Sequence, residues 1–155
     1  MTNSRFKLIG AVHLLLIRDA HILLLRRFNT GYEDGNYSVP AGHLDGNEPV
    51  SGAMAREALE EAGISINVAD LRVVHVMHRH NATVDGSSTE RVDFFLTASA
   101  WDGDPQIMEP NKCDQLTWFP INNLPSNVIP YIQQALDFYF LGLPYSEFGW
   151  ELARA

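Results

Sequence analysis

Leu8 to Ile17 is apolar apart from Gly10 and His13, and Ile22 to Leu25 is a second apolar run beyond Arg18-Asp19-Ala20. Two β-compatible runs around a short polar turn predict a hairpin. Arg5 and Lys7 ahead of the first run imitate a secretory leader, but His13 interrupts the run and no small-residue cleavage site follows. Asn29 to Asn36, rich in Gly, Asn and Asp, reads as a loop, and Tyr37-Ser38-Val39 as a short strand stopped by Pro40. From Pro49 to Ala62 the pattern is helical, closed by Gly63 where a left-handed residue is favoured. Leu71 to His78 and Arg91 to Ala100 predict strands separated by an Asp85-Gly86 turn, and Leu116 to Phe119 a further short strand. Val128 to Leu141 has Ile129, Ile132, Leu136 and Tyr139 along one side of a helix. Strands on both sides of one helix, with a second helix late, make an α/β fold with a mixed sheet between helices. The fate of the tail from Tyr145 to Ala155 is not legible in this pattern.

Composition narrows the function. At 155 residues, 46% hydrophobic and 19% charged, the chain reads as one domain over 1–155 with an ordinary core. Eleven basic against nineteen acidic residues give a formal charge of −8, which argues against a nucleic-acid polymer as partner. A small phosphate ligand stays compatible if divalent cations sit between it and the protein. No apolar stretch approaches the roughly 20 residues of a membrane span. The single cysteine, Cys113, excludes a disulfide framework and makes a reducing, cytoplasmic setting the default.

The chemistry concentrates between Gly42 and Ile64. Glu57, Glu60 and Glu61 stand at i, i+3 and i+4, so three carboxylates share one helix face, where they repel one another. Such an oxygen-rich cluster suits a hard divalent cation, Mg²⁺ or Mn²⁺. Val50, Ala53, Met54, Ala58 and Ala62 give the opposite side a small apolar surface for packing on a sheet. Glu48 is expected to pair with Arg56, fixing the loop against the helix and orienting Glu57. Gly42 is expected to permit a backbone turn that a Cβ would resist.

The whole segment, Gly42-x5-Glu48-x7-Arg56-Glu57-x2-Glu60-Glu61-x-Gly63-Ile64, resembles the box of the Nudix family in every fixed polar and glycine position. With each of the seven fixed residues at roughly 5–7% abundance, a chance match is on the order of 10⁻⁷ for a chain of this length. Ala58 is smaller than the aliphatic residue usual at its position. The resemblance implies a Nudix-type α/β/α sandwich around a mixed β-sheet and hydrolysis of nucleoside diphosphates linked to another group. It also implies that Glu57, Glu60 and Glu61 hold Mg²⁺ (Mn²⁺ as a substitute), aided by a main-chain carbonyl at Ala41 or Gly42. Glu57 is then the first choice for the base, oriented by Arg56, with Glu109 in the loop Gln106 to Asp114 as competitor and Asp114 a weaker candidate.

Outside the box the signals thin out. The stretch from Glu109 to Asp114, with Trp118-Phe119-Pro120 and Leu124-Pro125, resembles the corresponding part of MutT-type nucleoside triphosphate diphosphatases. This tilts the reading toward NTP or dNTP substrates, oxidised ones such as 8-oxo-dGTP included, cleaved to monophosphate and pyrophosphate. The alternatives are an ADP-ribose or nucleotide-sugar pyrophosphatase and a non-catalytic binding module. Arg26 and Arg27 are phosphate-tail candidates, at most one of them facing the site by strand alternation. Tyr32 and Tyr37 are candidates for stacking on a base, Tyr37 with the stronger structural use, and Trp118 is expected in the core. His75, His78 and His80 read as strand-surface or pocket-lining residues, and Cys113 lacks the motif of a nucleophile. The aromatic late helix and the tail with Phe148 and Trp150 either pack internally or form a homodimer contact.

Overall fold

The structure, a computed structural model, describes residues 4–82 and 88–153. Among these residues, nine strands form two sheets. The five-stranded sheet runs in the order β5 (Ala41–His43), β1 (Ile9–Leu15), β7 (Ser88–Ala98), β6 (Leu71–Ala82), β9 (Tyr145–Phe148). It is mixed: β1 is parallel to β7 and β6 to β9, and the other pairs are antiparallel. In the second, antiparallel sheet β3 (His21–Arg27) is central, paired along its length with β8 (Cys113–Pro120). Its other edge carries β2 (Ile17–Arg18) and β4 (Tyr37–Ser38). The predicted Asp85-Gly86 turn lies outside the described residues.

Helix α1 (Val50–Ala62) and helix α2 (Pro130–Phe140) cover opposite faces of β1 and β7. Val12, Leu14 and Leu16 pack in the core shared with Ala53, Met54, Ala58 and Ala62 of α1, whereas Leu15 and Phe95 pack with Ile132, Ala135 and Leu136 of α2. A strand buried on both faces needs a nearly unbroken apolar run, and this explains Gly10 to Leu16. The α/β sandwich expected from the pattern is therefore present.

The predicted hairpin changes character. Its first run is β1, in the five-stranded sheet, so only Ile17 and Arg18 pair back, opposite Ile22 and His21. Asp19 and Ala20 turn the chain with φ of 53° and 58°, the two positive values that a tight two-residue hairpin turn requires. β5, which the pattern did not predict, follows directly on Pro40. Tyr131 and Ala135 widen the buried face of α2 beyond the side read from periodicity.

The tail is ordered against the rest of the chain. β9 extends the sheet at β6, and His75, buried between them, hydrogen-bonds Leu143 O through Nδ1 and Ser146 Oγ through Nε2, both at 2.8 Å. His75 is thus a satisfied core histidine, not a strand-surface or pocket-lining one. In the short helix α3 (Trp150–Ala153), the Trp150 indole donates to His78 O at 3.0 Å and its ring lies on His78 and His80. Phe148 packs edge-on to Tyr131, so both tail aromatics are spent inside the chain. Trp118 is half-buried at the edge of the α1 core, stacked with Trp101 beneath the Arg18 guanidinium. No helix among the described residues is long and apolar enough to cross a membrane.

Candidate active site

Gly63 ends α1 in the left-handed region, φ 69°, with its N–H on Leu59 O at 3.1 Å. The helix thereby presents Glu57, Glu60 and Glu61 to a cleft of about 850 Å³. Glu57 is 9% exposed, and Arg56 Nη1 donates to its Oε1 at 2.8 Å. Arg56 also donates to Glu48 through Nη2 at 2.8 Å and Nε at 3.1 Å, and through Nη2 to His43 O at 3.2 Å. The Glu48–Arg56 pair thus ties the loop to the helix and fixes one oxygen of Glu57. Glu60 is exposed and touches Arg56 only at 3.4 Å.

Gly42 serves space rather than a turn. Its φ is not among the positive ones, but a Cβ there would lie 2.0 Å from Glu57 Cδ and 2.1 Å from Oε1. The expectation that it permits a strained turn is corrected: glycine leaves room for the Glu57 carboxylate against the backbone of β5. On the same strand, the Ala41 N–H donates to Glu61 Oε2 at 3.0 Å.

Burial pushes the Glu61 carboxyl up to about 8, against the Ala41 hydrogen bond and reinforced by the negative charges of Glu57 and Glu109. Burial raises Glu57 as well, offset by Arg56. Partly desolvated carboxylates that repel one another are a site short of positive charge. A hard cation fits this donor set, because Glu57 and Glu61 each use one oxygen inside the protein and keep the other, and Ala41 and Gly42 line the same corner. Among the described residues, no three acidic, histidine or cysteine side chains already stand together as a ready ligand set.

Glu109 also lines the cleft, paired with Lys112 at 3.3 Å. Its loop is docked on the end of α1: Gln106 N–H donates to Ala62 O at 2.9 Å, and Gln106 and Met108 lie over Gly63. Arg27 and Arg26 part company at a β-bulge. Arg27 lines the cleft, donating to Tyr32 O at 2.7 Å and Thr30 Oγ1 at 3.0 Å. Arg26 is outside it, held by both oxygens of Asp114 at 2.8 and 3.1 Å. Tyr32 stands at the rim, whereas Tyr37 is buried, edge-on to Phe119 with its hydroxyl donating to Gln115 Oε1. Arg26, Tyr37 and Asp114 therefore do not reach the cleft. Cys113 does line it, but burial pushes its thiol up, away from the nucleophilic thiolate.

The profile of the NUDIX domain matches residues 7–139. The chain belongs to the NUDIX family. A solved MutT NUDIX hydrolase from Burkholderia pseudomallei shares the architecture with a TM-score of 0.75 and 29% identity, over 85% of this chain and 98% of that one. A NUDIX hydrolase from Nitrosomonas europaea has a TM-score of 0.66 at 24% identity, over 90% and 93% of the two chains. A UDP-X diphosphatase, TM-score 0.60 at 16% identity over 95% of this chain and 70% of that one, shares the fold. The protein is a Nudix pyrophosphohydrolase by class.

Part of this Nudix cleft escaped the sequence reading. His13, His43, Arg79, Arg91 and Tyr131 also line it, and Asp93, fully buried, holds Arg79 and His13. A signal was available: a lone charge inside an apolar strand, such as Asp93 before Phe94-Phe95-Leu96, needs a buried partner.

Proposed function

We propose that this Nudix hydrolase cleaves a phosphoanhydride bond of a nucleoside triphosphate, with Mg²⁺ held by Glu57, Glu60 and Glu61, releasing nucleoside monophosphate and pyrophosphate. The observation that carries the reading is the pairing, in one cleft, of the carboxylate corner with the cations Arg27, Arg91 and Lys112. Its volume falls in the range of small-ligand sites, roughly 300–1,000 Å³. The 29% identity to a MutT NUDIX hydrolase supports the triphosphate branch.

When bound, the cation would polarise the phosphoryl oxygens and acidify a water. The chain's residues do the rest. Glu57, held by Arg56, is the first candidate to accept the water proton, and Glu109 enters the cleft as the second. Arg27 offers a planar, permanently charged fork to the phosphate chain. Lys112, paired with Glu109, adds a positive charge at the same rim.

The test is a Mg²⁺-dependent hydrolysis panel of dNTPs, oxidised dNTPs, NTPs, ADP-ribose and nucleotide sugars with every product identified. Monophosphate and pyrophosphate from a triphosphate are expected. Sugar phosphate and monophosphate from a nucleotide sugar would move the enzyme to the other branch. Turnover of none, with Mg²⁺ or Mn²⁺, would refute the triphosphate assignment.

A further inference from the structure

The loop between β3 and β4 begins and ends on Arg27. Its main chain closes there, Arg27 N–H on Asn36 O at 2.9 Å and Gly35 N–H on Arg27 O at 2.8 Å. Inside the loop, the Asp34 carboxylate accepts from Thr30 N–H at 3.0 Å and Gly31 N–H at 2.9 Å, and from the Thr30 hydroxyl at 2.5 Å. The hydroxyl first, then the two N–H groups, hold its carboxyl below the usual carboxylate range. Successive main-chain N–H groups turned to one side make an anion-binding hollow, and here the chain's own carboxylate fills it. The loop therefore has no main-chain seat for a substrate phosphate. Asp34 is exposed and stands outside the cleft that Arg27, Thr30 and Tyr32 line.

The protons around the Thr30 hydroxyl decide what Asp34 does. Oγ1 has one proton and two lone pairs. Its neighbours are Asp34 Oδ1 at 2.5 Å, Tyr32 O at 2.9 Å, Arg27 Nη2 at 3.0 Å and Tyr32 N at 3.2 Å. A carboxylate is the stronger acceptor, so the proton goes to Asp34 and the lone pairs receive the two N–H groups. Without the carboxylate the proton turns toward Tyr32 O, one lone pair swings to the vacated side, and the N–H groups of Arg27 and Tyr32 compete for the other. With it, the Nε–Nη2 edge of Arg27 is tied to the loop, Nε on Tyr32 O at 2.7 Å. The guanidinium also lies over the Tyr32 ring, 5.3 Å from its centre. The Nη1–Nη2 edge is left as a fork of the kind that takes one phosphate group with two parallel hydrogen bonds.

We propose that Asp34 is a positioning residue of this enzyme. Acting through the Thr30 hydroxyl, it fixes the Arg27 fork and so sets affinity for the phosphate chain without touching substrate. The inference rests on the phosphate role of Arg27 proposed above and adds the device that aims it.

Steady-state kinetics on the best triphosphate with Mg²⁺ provide the test. Asp34→Ala is expected to raise KM about tenfold, the effect of one hydrogen bond to a charged group. Its kcat should stay within about threefold, the pattern of lost uniform binding. Thr30→Val, which leaves Asp34 on its two main-chain donors, should do the same, and Thr30→Ser, which keeps the hydroxyl, should stay within about twofold of wild type. Inorganic tripolyphosphate, with neither base nor sugar, should weaken as a competitive inhibitor by the same factor. A coupling measurement separates aiming from a general loss of fold: in an Arg27→Met background, with no fork to aim, adding Asp34→Ala should change KM by less than about twofold. An unchanged KM in Asp34→Ala, a loss confined to kcat, or an undiminished effect in the Arg27→Met background would each overturn the proposal. If no nucleoside triphosphate is turned over, the triphosphate reading falls alone. Calorimetric binding of tripolyphosphate with Mg²⁺ to wild type and Asp34→Ala then decides the loop, and equal affinities would refute it.

Discussion

Gly42→Ala separates the need for an open corner from the need for a stable fold. The backbone at Gly42 is outside the left-handed region, so alanine brings no φ penalty. What it meets is the Glu57 carboxylate, with Cδ at 2.0 Å and Oε2 at 2.5 Å from the new Cβ. Ordinary contact begins near 3.4 Å, so Cδ must retreat by 3.4 minus 2.0, or 1.4 Å. The obstacle is the end of a flexible side chain, so the fold gives way cheaply. An off-rotamer Glu57 and a stretched bond to Arg56 cost together about 1–2 kcal/mol. At this chain length that lowers the Tm by roughly 2–8 °C. Catalysis is less tolerant, because a displacement of about 1 Å at a reacting group costs on the order of a hundredfold. The assay is kcat/KM on the best substrate with Mg²⁺, beside a thermal melt. Activity within threefold of wild type would refute the assignment of Gly42 as the space that seats Glu57.

Three further outcomes are expected. Glu61 is an acid raised from 4.5 to about 8 by burial, so without divalent cation the fold loses stability as pH rises from about 4.5 to 8. Glu61→Gln should therefore melt above wild type at pH 8 and with it below pH 4.5, and a constant difference across pH would refute the burial argument. Gly63→Ala combines a φ of 69° with a Cβ 3.0 Å from Met108 Sδ and 3.1 Å from Gln106, and should cost about 1–2 kcal/mol in denaturant unfolding. Glu48→Gln frees Arg56 on one side and should lower kcat about tenfold with little change in fold by circular dichroism.

What was legible in the sequence follows contact distance along the chain. Glu48, Arg56, Glu57, Glu60, Glu61 and Gly63 lie within one loop and one helix, and helical spacing fixes their shared face. The two long helices, α1 and α2, and most strands were visible because β1, β6, β7 and α2 carry long apolar patterns. The buried group of His13, Arg79 and Asp93 was not visible, since its members come from three strands and meet across separations of 80 and 14 residues. Strand order decides such meetings, and periodicity does not encode strand order. β5 was missed for a local reason: three residues containing glycine make no pattern. The tail was opaque because β9 exists only as an edge added to β6, with His75 buried between them.

β5 also explains how one cleft holds two chemistries. Alternation along Ala41-Gly42-His43 sends Gly42 toward α1, where its missing Cβ leaves room for Glu57. It sends Ala41 and His43 the other way, opposite His13 and Ala11 of β1 and beside Arg91. Two residues of strand span about 7 Å, so the carboxylate corner and the buried Arg79–Asp93–His13 group are set close together by a single short strand. A slip of one residue in its pairing would turn the His43 imidazole onto Glu57 and remove the space that seats its carboxylate. The hydrogen bonds from Leu14 N to Pro40 O at 2.8 Å and from Leu44 N to Gly10 O at 3.0 Å pin that register at each end. Leu44→Pro, which removes the main-chain N–H that bonds Gly10 O, should therefore lower kcat by more than Glu48→Gln does, and equal losses in steady-state assays would refute the register argument.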